Sequence, residues 1–400
     1  MNVPRDAEAL FGTRFHRDPA GTYRRLRREH GAVAPVRLES GLPAWCVLGY
    51  RELLRVTGAP ELFSRDPRLW NRWHQVPENW SLRPYVEPRA STILTGAAEH
   101  RARGRAVREA LSGVDVAGLA ARLHECCDAL IDRFAGRGSA DLVVEYTHRI
   151  PLLVMARICG LPDGEVPMLT HDVALSGQEG DEAVGAYERT MARMRWLAAE
   201  RRAEPADDLA SRLAESSVGL TDAEIAADLF LVLGKAHLTT SDWMANALRL
   251  MLTDPHFAVG LAGGRNDIAH VLDEVLWADP PMQNFVGRWA TRDTELGGRS
   301  IRAGDLLVLG LAAANADPAV RSRSGASTGN RAHFAYSHGE HGCPDPAREL
   351  SRVIASTGVE ILLDRLPDLD LAVPEEDLTW RPSMWMRGLT SLPAHFAAHR

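Results

Sequence analysis

A chain of 400 residues with 45% hydrophobic and 25% charged side chains has the balance of an ordinary globular protein with a large core. Its 46 cations and 53 acids give a net charge of −7, so no global basic field invites nucleic acid. Met1 to Leu10 carries Arg5, Asp6 and Glu8 rather than an apolar stretch, and nowhere do about 18 apolar residues run together, so neither a secretory signal nor a membrane span is expected.

Five cysteines (Cys46, Cys126, Cys127, Cys159 and Cys343) in irregular spacing do not suit a disulfide framework, and a reducing cytoplasm is the expected location. Among the cations, Lys235 is the single lysine. No repeat or low-complexity linker divides the chain, so 1–400 reads as one domain.

Strand patterns open the chain, at Val33–Arg37 and, past a Ser-Gly-Leu-Pro turn, at Ala44–Leu48. Helical periodicity then takes over. Leu119, Leu123, Cys126, Leu130 and Phe134 mark a helix over Val116–Phe134. The clearest element runs from Thr221 to Thr253: Thr221 and Glu224 have capping-box spacing, and Pro255 follows its end. At 1.5 Å per residue it would span roughly 50 Å, and its middle, Leu229–Leu233, is apolar on every side, which predicts burial. A helix at Ile268–Trp277 follows, then a turn-rich β region over Trp289–Leu309 and an irregular stretch over Asp317–Arg331. The last helix covers Ala347–Leu366, and short extended pieces lie near Leu371–Val373 and Leu389–Leu392. Helices outnumber strands.

The segment from His333 to Arg348 carries the chemistry. Cys343 sits on a turn just before a helix, where the helix dipole favours a thiolate, and Pro344 and Pro346 suit early helical positions that need no amide partner. Gly339 lets the backbone pass close to a flat cofactor. On residue type alone a buried structural thiol is the favoured reading of Cys343, and a metal site from His338, His341 and Cys343 lacks both paired spacing and a clear fourth ligand.

This segment resembles the haem-ligand loop of the cytochrome P-450 family, F-x-x-G-x-x-x-C-x-G with a frequent His two residues before the Cys. The chain offers Tyr336, Gly339, His341 and Cys343, with Asp345 where the last Gly is usual. The run from Leu362 to Pro367, then Leu371–Pro374 and Arg387-Gly388-Leu389, is similar to actinobacterial members, so the likeness extends over almost the whole chain. It implies a mainly α fold with small β-sheets and one long central helix over a buried haem b. It also implies Cys343 as the iron ligand and Thr239 as the distal hydroxyl, with His100, Arg288 and His341 holding the haem propionates.

Three departures stand out against the family pattern. Gly104 replaces the arginine four residues after the propionate histidine, leaving Arg103 or Arg105 as candidates. The central helix reads Lys235-Ala236-His237-Leu238-Thr239 where A-G-x-D/E-T is usual; leucine carries no proton, so the usual relay is broken there. Lys235 could substitute with Thr239, perturb the distal pocket, pair with Asp242 or bend away. Lastly, the E-x-x-R motif reads Glu274-Val275-Leu276-Trp277. The expected compensation is an indole N–H from Trp277 to Glu274 and a charge from Arg323 or Arg331. A tryptophan at this position is similar to a subgroup of actinobacterial members often encoded beside signalling proteins.

The resemblance therefore implies a haem-thiolate monooxygenase that inserts one oxygen atom from O2 into a small organic substrate, with electrons from a ferredoxin and its ferredoxin reductase. That ferredoxin would meet Arg101, Arg103, Arg105 and Arg108. Trp70, Trp73, Trp80 and the stretch Met282–Val286 suggest an apolar or aromatic substrate, although the aromatics serve packing equally well. A catalytically degenerate haem-binding partner or sensor in a signalling complex is the alternative of another class, and a peroxide-driven peroxygenase needs no relay at Leu238.

Overall fold

The computed structural model of the chain describes residues 7–398, apart from 79, 81–82, 84–85, 88–91, 93–96, 176–180, 259–264 and 321–329. Helices dominate, and the one at Asp222–Thr253 organises them. Its start follows the sequence: the Glu224 amide donates to the Thr221 hydroxyl (3.3 Å) and the Thr221 amide returns to the Glu224 carboxylate (2.8 Å). Helices Arg149–Cys159, Asp181–Ala203, Arg265–Ala278 and Asp345–Arg365 pack around it. Ile225, Leu229, Leu233, Trp243, Leu248 and Met251 are its buried contribution to the largest core. Phe230, Leu231 and Val232 keep some exposure, so the middle of this helix is not uniformly buried.

A five-stranded sheet forms a second layer, in the order Val33–Arg37, Pro43–Val47, Leu306–Leu309, Phe285–Ala290 and Phe63–Ser64. Only the pairing of Pro43–Val47 with Leu306–Leu309 is parallel, with Cys46 opposite Val308. The register between Phe285–Ala290 and Leu306–Leu309 slips at Gly287, whose φ of 100° belongs to the left-handed region. Such a bulge adds one residue and re-aims the next side chain, here Arg288. Smaller sheets join Ser139–Asp141 with Pro393–His395 and Asp370–Leu371, and Thr294–Leu296 with Arg299–Ile301. The β region thus begins at Phe285, four residues before the expected start, and the last strand lies beyond Leu392. No helix among the described residues is long and apolar enough to cross a membrane.

Two expectations about charge change. Arg103 is not available as a propionate ligand or as a surface cation: it is buried, and its guanidinium lies 2.9 Å from the fully buried carboxylate of Asp228 on the central helix. Thr92 gives both its amide and its hydroxyl to the same carboxylate. This ties the helix Ala97–Ser112, which carries His100, to the central helix. Arg105 is exposed.

Trp277 does not donate to Glu274; its indole N–H reaches the Asn330 carbonyl at 2.7 Å, and its ring meets His333 edge-on at 5.8 Å. Glu274 is half-buried, which relieves the desolvation that a fully buried carboxylate would suffer. The ion pair beneath this helix comes from the neighbouring position, Asp273 to Arg352 at 2.7 Å. Arg331 is exposed, and Arg323 lies outside the described residues. Asn315 completes the tether, donating to the Leu276 carbonyl (2.9 Å) and accepting from the Phe334 amide (2.7 Å). The helix end thus grips the entry to the cysteine segment through neutral hydrogen bonds.

Replacing one partner of a buried ion pair costs about 3–5 kcal/mol, so Asp228→Asn should lower stability by that order in urea unfolding, and an unchanged midpoint contradicts the role given to this pair. Trp277→Phe removes one buried hydrogen bond and should cost about 1–3 kcal/mol with faster haem loss to an acceptor protein; wild-type retention would show the indole N–H to be dispensable.

Candidate active site

The cysteine segment is a tight loop pressed against the helix Tyr50–Gly58. Gly339 has φ 72°, and a Cβ there would lie 2.3 Å from the Thr57 carbonyl oxygen, so any other residue would push the backbones apart. The Gly342 amide donates to Gly339 and the Cys343 amide to Tyr336, each at 2.9 Å, and Thr57 meets His338 at 3.2 Å. The helix Asp345–Arg365 begins two residues after Cys343. Arg348 donates to the Cys343 carbonyl at 2.7 Å.

Cys343 is the most accessible of the five cysteines; the other four are buried. Burial nevertheless pushes its thiol up to about 11, against the pull of Arg348. Cys46, Cys127 and Cys159, pushed to about 12 by burial, behave as structural thiols. The Cys343 sulfur is therefore surrounded by protein yet not fully covered. No cluster of His, Cys, Asp and Glu among the described residues could hold a bare metal ion, so His338, His341 and Cys343 do not form one.

Beside this loop, His341 stacks on His100 with ring centroids 3.7 Å apart. Burial and the charges of Arg288, His100 and Arg65 hold His341 well below the usual imidazole range, and its Nδ1 has no partner. His100 faces two carbonyl oxygens, Thr92 at 2.6 Å and Glu340 at 2.8 Å, one at each ring nitrogen. Arg288, delivered by the bulge at Gly287, is buried with its Nε unpartnered, and desolvation brings its pKa down to about 10. Arg65, buried next to it, gives Nη1 to the Val286 and Gly287 carbonyls at 2.6 and 2.7 Å. His100, His341 and Arg288 therefore do converge, as the sequence implied, and Arg65 is the member that the sequence reading missed. Nothing in Phe63-Ser64-Arg65-Asp66 marks Arg65 as interior; only the fold, which lays this edge strand beside Phe285–Ala290, brings it in.

The central helix supplies the facing wall. Gly234, Lys235, Leu238 and Thr239 keep partial exposure, whereas His237, Thr240 and Ser241 are buried. The Thr239 hydroxyl donates to the Lys235 carbonyl at 2.7 Å, one turn back. Asp242 is engaged by Arg381 at 2.5 Å rather than left to Lys235, whose ammonium lies 5.6 Å from the Phe285 ring and 5.7 Å from that of Trp385. Trp70, Trp73 and Trp80 pack together around Trp70 at 5.9 Å, with Trp289 at 6.2 Å. Their arrangement is that of a core.

Haem b suits this chemistry. Its propionates are anions that the orphaned Arg288 Nε and the orphaned His341 Nδ1 suit, whereas both ring nitrogens of His100 are already taken by the Thr92 and Glu340 carbonyls.

No protein-family model matches the chain. Cytochrome P-450 107B1 of Saccharopolyspora erythraea is 29% identical over 403 residues, spanning 96% of each chain. Cytochrome P-450-SU2 of Streptomyces griseolus is 32% identical over 278 residues, 68% of each. A Streptomyces CYP154C4 structure superposes with a TM-score of 0.86 at 27% identity, covering 98% of both chains. Likeness of this extent, in sequence and in fold alike, makes the chain a member of the cytochrome P-450 family, an oxidoreductase of the monooxygenase type whose cofactor is haem b.

Proposed function

We propose that residues 1–400 work as one haem domain, in a reducing cytoplasm, that inserts one oxygen atom of O2 into a small apolar or aromatic substrate. Electrons come from a ferredoxin and its reductase. The observation that carries this reading is Cys343: an accessible sulfur at the start of a helix, beside an imidazole–guanidinium cluster. When bound, haem b supplies the redox iron at which O2 is activated.

The chain's own residues do the rest. The Cys343 thiolate would hold the haem iron, favoured by Arg348 and by the N-terminus of the helix Asp345–Arg365. Arg288 and His341 would hold the propionates, with His100 stacked on the His341 ring and free to reach a propionate only by giving up one of its carbonyl partners. Thr239 keeps a hydroxyl on the distal wall, oriented by its bond to the Lys235 carbonyl. Leu238 carries no proton, so proton delivery must run through this hydroxyl and ordered water rather than a neighbouring acid. Phe285 and Trp385, 6.0 Å apart, offer the substrate aromatic surface. Exposed Arg101 and Arg105 present positive charge to an acidic ferredoxin.

Turnover of a panel of bicyclic aromatics under 18O2, with a surrogate ferredoxin and reductase, tests the reading. One labelled oxygen per product is expected, with Thr239→Ala lowering coupled turnover about tenfold or more. Product formed with peroxide alone, and none with the ferredoxin system, would make the protein a peroxygenase instead.

A further inference from the structure

The only lysine of the chain occupies an improbable place. Of 46 cationic side chains, 45 are arginine, and the exception is on the partly exposed face of the central helix. Lys235 extends its ammonium between two aromatic rings, 5.6 Å from Phe285 and 5.7 Å from Trp385. Phe285 is shared: the Arg65 guanidinium lies 4.4 Å from the same ring centroid. Two cations thus meet one ring on the substrate side of the site.

Like charges in a poorly solvated pocket repel. The ring faces attract each cation without separating the two. Burial and the Arg65 charge together pull Lys235 down to about 8. An anion placed beside the Lys235 ammonium adds an attraction that counters this repulsion, and its hydrocarbon body can pack against Phe285 and Trp385. Arg65 also faces Arg288 and His341, so its charge is shared with the propionate cluster. Lys235 belongs to a different element and points at the two rings.

We propose that the substrate is an aromatic organic acid, whose carboxylate binds the Lys235 ammonium, with Arg65 reinforcing it, while its ring packs against Phe285 and Trp385. Lysine suits this task better than arginine: a compact point charge on a flexible stem reaches one carboxylate oxygen without the planar fork that would crowd the two rings. The inference deepens the monooxygenase reading and rests on it. It narrows the substrate from apolar or aromatic compounds to those with an acidic group, and it assigns Lys235 to substrate binding rather than to proton delivery.

The test is calorimetric binding of 2-naphthoate and of its neutral analogue 2-naphthamide to the purified holoprotein. A charge-assisted contact predicts that the acid binds about tenfold tighter or more. Lys235→Gln and Lys235→Met should each erase the preference, the second serving should the first fail to hold haem, while Lys235→Arg should keep most of it. Equal affinity for the two probes in the wild type overturns the proposal. So does a preference that survives Lys235→Gln or Lys235→Met, or a Lys235→Gln variant that changes haem dissociation while leaving acid selectivity intact. The haem spectrum of each sample separates the two levels: a normal spectrum without acid preference sinks this inference alone, whereas an abnormal wild-type spectrum sinks the reading beneath it.

Discussion

Burial works against the ionisation of Cys343, and the local structure is arranged to overcome it. Desolvation lifts the thiol to about 11, with Arg348 pulling the other way. The helix Asp345–Arg365 starts just beyond the sulfur and adds its positive end. An iron bound at this sulfur would supply the remaining charge, since metal coordination deprotonates a thiol. The loop can hold this geometry only because Gly339 passes its backbone against Thr57, where a Cβ has no room. Sulfur, helix start and glycine are therefore one constraint.

The other features of the site follow from delivering cations to the same cavity from distant parts of the chain. Arg288 comes from a strand bulge, Arg65 from an edge strand, His100 from a helix and His341 from the cysteine loop. Each element is fixed elsewhere by a second contact. Asp228 clamps Arg103 and Thr92 and so sets the helix of His100, while Trp277 and Asn315 hold the approach to Cys343 with neutral hydrogen bonds. The helix of Trp277 keeps an ion pair as well, from Asp273 to Arg352, one position before Glu274.

Local patterns were legible in the sequence. The capping box at Thr221 and Glu224, the strand at Val33–Arg37 and the start of the helix at Val116 each depend on residues a few positions apart, and each was read nearly to the residue. The cysteine loop was legible through its likeness to a known pattern. What escaped was long-range. Arg103 looks like a surface cation until Asp228, 125 residues away, is brought beside it. Trp277 has Glu274 one helical turn behind it, yet its bond crosses 53 residues to Asn330. Arg65 reaches carbonyls more than 220 positions away. No periodicity encodes such partners, because tertiary packing chooses them.

The reduced carbon monoxide difference spectrum of the purified protein tests the central claim most directly. The account predicts the long-wavelength Soret band of thiolate-ligated haem, lost in Cys343→Ser even where that variant still binds the pigment. A wild-type protein that stays colourless with added haemin, or a serine variant whose spectrum is unchanged, would contradict it.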